Sequence, residues 1–115
     1  MSFSEFELKR IEKELDKFLE KRRPPADIRN EVDINYRIDG QSITILEIRP
    51  NWRDPSIIHE MPLARTTYVK SKNIWKVFWQ RADMDWHSYK PTPVVKSVEE
   101  FLQLVDADLH HCFFG

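Results

Sequence analysis

Cysteine and glycine are nearly missing from this chain. Its 115 residues include one cysteine, Cys112, and two glycines, Gly40 and Gly115. One thiol leaves no internal disulfide, which suits a reducing compartment, so the cytoplasm is the expected location. Two glycines are too few for a backbone-lined phosphate loop or a dinucleotide fingerprint, and no G-x-S-x-G is present. No apolar run approaches the roughly 20 residues of a spanning helix, so no membrane partner is expected. The N-terminus lacks an apolar run flanked by basic residues, so no signal peptide is expected. The net charge of −1 lacks the basic excess of a dedicated nucleic-acid binder.

What is there is 41% hydrophobic and 32% charged, the composition of a soluble globular protein. The length suits a single domain, 1–115, with a core of its own. Charge is unevenly spread. Residues 65–90 hold six basic and two acidic groups, while 24–64 and 91–115 are each net −3. Three of the four tryptophans lie between Ala64 and Lys90. Such a stretch is either a core hairpin with solvated edges or a surface that stacks on bases and neutralises phosphates.

Local patterns predict a helix over 4–22. Ser4 and Glu7 have capping-box spacing, Phe3 and Leu8 staple spacing, and Leu8, Ile11, Leu15, Phe18 and Leu19 recur at helical intervals. Pro24-Pro25 ends it. Residues 32–49 read as a hairpin about Asp39-Gly40. That turn sets Ile38 opposite Gln41 and Tyr36 opposite Ile43, with Ile34, Tyr36, Ile38, Ile43 and Ile45 on one face. Residues 50–61, bracketed by prolines, read as a loop.

Residues 62–90 read as a three-strand meander. A turn at Ser71-Lys72 pairs Tyr68 with Trp75, Thr66 with Val77 and Ala64 with Trp79. A four-residue loop, Ala82 to Asp85, then pairs Arg81 with Trp86. Tyr68, Trp75, Val77, Trp79 and Trp86 share one face, and Arg65, Lys76, Phe78, Gln80, His87 and Tyr89 the other. A second helix is expected over 97–109, capped by Ser97 and Glu100, with Val98, Phe101, Leu102, Val105 and Leu109 as its apolar stripe. The fold class is therefore α+β, an antiparallel five-strand meander sheet packed by an N-terminal and a C-terminal helix. Phe113 and Phe114 are too apolar to float free and should dock on the body or a partner.

The stretches S-F-S-E-x-E-L-K-R-I-E-K at the start, E-K-R-R-P-P at 20–25, E-I-R-P-N-W at 47–52, W-K-V-F-W-Q-R-A-D-M-D-W-H-S-Y at 75–89 and the final C-F-F-G resemble a family of small bacterial proteins catalogued as domain of unknown function 3024. The resemblance covers nearly the whole chain. It implies a bacterial, stand-alone domain and no activity, so it carries no functional residues.

The residues themselves leave three functional readings. A non-enzymatic binding module would use Arg65, Lys76, Phe78, Gln80, His87 and Tyr89, with a protein as partner. On that same surface single-stranded nucleic acid could bind, the aromatics stacking at about 1–3 kcal/mol per base. The bland reading buries Phe78 and Tyr89 under a loop or helix. The tryptophan face reads as core against the first helix, or else as a stacking platform with Arg81 beside Trp86.

A small metal-dependent nuclease is the enzymatic alternative, with Asp33, Asp39 and Glu47. Its signature is poor, because arginine at position 49 cannot act as a base and several carboxylates must converge on the metal. His110, His111 and Cys112 lack zinc-ligand spacing, and no base is placed beside Cys112 to make it a nucleophile. Neither a cofactor nor a resident metal is expected. Edge strands and an apolar tail leave room for a homodimer.

Overall fold

The computed structural model of the chain describes residues 3–110 and 112–114. Its elements run α1 (Glu5–Arg22), a 3-10 turn (Ala26–Ile28), β1 (Asp33–Asp39), β2 (Ser42–Pro50), β3 (Ile58–Val69), β4 (Ile74–Gln80), β5 (Trp86–Ser88), β6 (Val94–Val95) and α2 (Val98–Ala107). The strands form one antiparallel sheet in the order β1-β2-β3-β4-β5, and β6 pairs with β4 beside β5. The expected five-strand meander is present, with the two-residue β6 added beyond residue 90, where the meander was expected to end. No helix among the described residues is long and apolar enough to cross a membrane.

α1 begins as its sequence predicts. The Ser4 side chain accepts from the Glu7 amide, and the Glu7 carboxylate accepts from the Ser4 amide at 3.0 Å, closing a capping box. The Ser4 amide, and after it the Ser4 side chain, hold the Glu7 carboxyl below its ordinary range. Ser97 caps α2 in the same way through the Glu100 amide. Glu100, however, accepts from Lys96 rather than from its cap residue. α2 ends at Ala107, two residues early, because Asp108 takes the left-handed region at φ 41°. Leu109 therefore leaves the apolar stripe and is 78% exposed.

Both helices pack on one face of the sheet. Ile11, Leu15 and Phe18 of α1 and Val98, Phe101, Leu102 and Val105 of α2 are buried with Ile34, Ile43, Ile45, Ala64, Trp75, Val77 and Val95 of the strands. These strand residues alternate as a pleated, half-covered sheet requires. Thr66 is fully buried among them, and its hydroxyl donates to the Lys76 carbonyl at 2.8 Å. Phe3 stacks on Trp75 at 5.7 Å, joining the start of α1 to β4.

The β1–β2 register differs from expectation by two residues. Asp39 pairs Ser42, Ile38 pairs Ile43 and Tyr36 pairs Ile45. The loop is Gly40-Gln41, with Gly40 at φ 57° in its first position, which a type II′ turn allows glycine to fill. A slip of two keeps every side chain on its face, so the apolar set is unchanged. The β3–β4 pairs are as expected.

The 50–61 loop is a correction. β2 runs to Pro50 and β3 starts at Ile58, so only 51–57 is loop. Between Ile45/Ala64 and Leu46/Pro62 the register shifts, leaving Leu63 as an extra residue on β3. This bulge lets Pro62, which has no amide hydrogen, sit inside a long strand.

Candidate functional site: the helix-free sheet face

The side of the sheet opposite the helices is formed by alternate strand positions, and the register lines them up in rows. One row is Arg37–Thr44–Arg65–Phe78–Ser88, running from β1 to β5. Beside it lies Asp39–Ser42–Thr67–Lys76–Val94. Gln80 pairs Trp86 on the other flank of Phe78. Thr44 is only 5% exposed although no helix covers it. The register flanks it with Arg37 and Arg65, whose aliphatic stems suit such cover. The Ser42 and Thr67 hydroxyls meet at 2.8 Å.

Electrostatically this face has two halves. On β1 and the far part of β3, Arg37 is paired with Asp39 at 3.1 Å and Glu60 at 3.6 Å. On the β3–β4–β5 part, Arg65, Lys76, Phe78, Gln80 and Trp86 occupy neighbouring positions, and the one carboxylate of these rows, Asp39, lies at their β1 end. The Arg65 guanidinium carbon lies 5.8 Å from the Trp86 ring centre, within cation–π range.

Four of the six expected site residues, Arg65, Lys76, Phe78 and Gln80, share this face. Tyr89 and His87 do not. The β4–β5 connection is Arg81–Asp85, five residues rather than four, and Trp79 pairs His87. A slip of one flips every side chain of the following strand. Tyr89 is thereby turned into the core, 2% exposed and 4.9 Å from Phe113. Trp86 takes the place on the open face expected for His87. Arg81, expected beside Trp86, lies over Trp79 instead, at 5.7 Å. The extra loop residue is hard to read in the sequence because Met84, not glycine, adopts positive φ there, at 68°. His87 is held from the helix side, its Nε2 donating to the Asp83 carboxylate at 2.8 Å. With the Asp85 amide as the larger influence, that bond lowers the Asp83 carboxyl.

The three carboxylates of the nuclease reading do not converge. Asp33 and Asp39 stand at opposite ends of β1 on the helix-free face, while Glu47 pairs Ile34 and faces the other way. Asp33 accepts two hydrogen bonds of 2.8 Å from Arg23, which hold its carboxyl below the ordinary range. Glu47 is paired with Arg49. Among the described residues, no group of three His, Cys, Asp or Glu is placed to hold a metal ion.

The apolar tail docks on its own chain. Asp108, 8% exposed, accepts from the Phe113 amide at 3.0 Å and the Phe114 amide at 2.9 Å. Phe113 is buried, and the Arg22 guanidinium of α1 lies 4.1 Å over the Phe114 ring. His111 and Gly115 lie outside the described residues.

The chain belongs to the family described as domain of unknown function (DUF3024), which it matches over residues 3–115. The family match spans both helices and the whole sheet. No curated protein and no solved structure matches the chain.

Proposed function

We propose that this domain is a non-enzymatic binding module whose helix-free sheet face, at Arg65, Lys76, Phe78, Gln80 and Trp86, receives a partner. The carrying observation is that cations and aromatics gather on the uncovered face without an intervening carboxylate. Buried aromatic and arginine anchors dominate binding energies, and this patch supplies both. The single thiol and the family resemblance support a bacterial cytoplasm as its setting. A protein partner is the first reading, because the chain as a whole is not basic.

Single-stranded nucleic acid is the second reading, favoured by Phe78 and Trp86 flanking the Arg65 and Lys76 charges, as in sheet-borne stacking platforms. A homodimer has lost one of its two supports, since Phe113 is buried and Phe114 docks against Arg22 of the same chain.

A photo-crosslinking residue at Lys76, with Glu12 on α1 as control position, tests the module. The expected result is a discrete adduct in cells at Lys76, absent at Glu12 and reduced by Arg65→Ala or Trp86→Ala. Nuclease-sensitive adducts, with salt-dependent binding of oligo(dT) or oligo(U) in fluorescence anisotropy, would select nucleic acid. Equal labelling from both positions would overturn the reading.

A further inference from the structure

On the other face, where β5 meets the tail, Trp79, Tyr89, Lys90, Pro91 and Cys112 help enclose a cleft of about 350 Å³. That is small-ligand size. Its walls are aromatic: Trp79 is partly buried and Tyr89 buried, braced by Phe113. The rest of its lining includes Arg81, His87 and Ser88.

The polar lining is rich in donors, with Ser88 and His87 able to accept as well. Arginine and lysine donate only. Burial pushes both the Tyr89 phenol and the Cys112 thiol up, so at neutral pH each keeps its proton. A protonated thiol is a poor nucleophile, which favours binding over catalysis. Among the described residues no carboxylate lines the cleft, although Asp83 stands behind His87 and the Asp108 charge reaches Tyr89 and Cys112. Four other clefts on the surface each include at least one: Glu7, Glu100, Glu14 and Glu60 respectively. An aromatic-walled space lined by donors and cations is complementary to a flat molecule rich in acceptors and negatively charged.

We infer that this cleft binds a small planar anion, an aromatic ring bearing a phosphate or carboxylate. The ring lies against Trp79, and Arg81 and Lys90 take the charged group. The inference is independent of the partner on the helix-free face, because Trp86 and His87 project from opposite sides of β5.

Titration of the full chain, followed through the backbone amides of Ser88, Lys90 and Cys112 by NMR, tests it. Adenosine 5′-monophosphate and benzoate serve as phosphate and carboxylate probes, with adenosine and inorganic phosphate as half-ligands. Saturable shifts at these amides are expected with at least one of the two full probes. Affinity should fall about tenfold or more for either matching half-ligand. Arg81→Gln and Lys90→Gln should each weaken binding severalfold while the Trp86 signals stay in place. If neither full probe shifts these amides at millimolar concentration, or if the glutamine variants bind as well as the parent, the inference fails. Phosphate binding as tightly as the nucleotide would overturn the planar ring.

Discussion

Asp108 occupies a left-handed backbone position and also uses both carboxylate oxygens to hold the tail. Hydrogen bonds to a charged group contribute about 1.5–3 kcal/mol each, and a buried group left unpaired costs about 1–3. Asp108→Ala should therefore destabilise the fold by about 2–4 kcal/mol, read as a lowered urea midpoint, and should release Phe113 from Tyr89. An unchanged midpoint would show that the tail holds without it. Arg23–Asp33 is a second residue-scale device, since its two parallel bonds tie the end of α1 to β1. A carboxyl lowered by folding stabilises above its unfolded value and loses that contribution as pH falls through the folded one. The Asp33 contribution should be complete above about pH 4 and vanish at lower pH. Asp33→Asn should lower the melting temperature at pH 7 and leave a shallower acid transition. Parallel pH curves for the two proteins would refute this.

Among the elements, the β2–β3 hairpin is buried at its Ser42–Leu46 end and exposed at the other, where Ile58 to Met61 all face solvent. Past the bulge at Leu63, β3 pairs β2 alone, because β4 reaches only to Ala64. Trp52, Ile57, Ile58 and Met61 are exposed on this arm. Amides of Ile58 to Met61 should exchange with deuterium at least tenfold faster than those of Arg65 to Val69. Equal protection would mean that something covers the arm in solution. The extent of that arm was not legible, because prolines 50 and 62 read as strand ends and a bulge leaves no signature of its own. The Ser4–Glu7 cap and the Tyr68–Trp75 register were legible, since short-range chemistry decides both. The candidate site was legible through β4 and lost at β5. There the meaning of His87 and Tyr89 hung on a single loop residue, with Met84 standing where a glycine would have marked the turn.

At the scale of the whole molecule, two helices on one side of a twisted sheet divide the surface unequally. The helix-backed side is core, with the aromatic cleft at its β5 margin. The bare side holds the Arg65 and Lys76 charges in rows fixed by the ladder, so side chains distant in sequence are presented at set spacings. The basic middle segment is therefore not one patch. Its cations divide between the two faces, Arg65 and Lys76 to one, Arg81 to the other, which is why a near-neutral chain can still offer a locally cationic surface.

That division also distributes the indoles. Trp52 is 83% exposed on the hairpin arm, Trp75 is stacked in the core, Trp79 walls the cleft and Trp86 stands on the bare face. The molecule thus carries four intrinsic optical probes in four different surroundings. Exchanging them one at a time for phenylalanine would resolve its emission spectrum into a map of arm, core, cleft and face, with no dye attached.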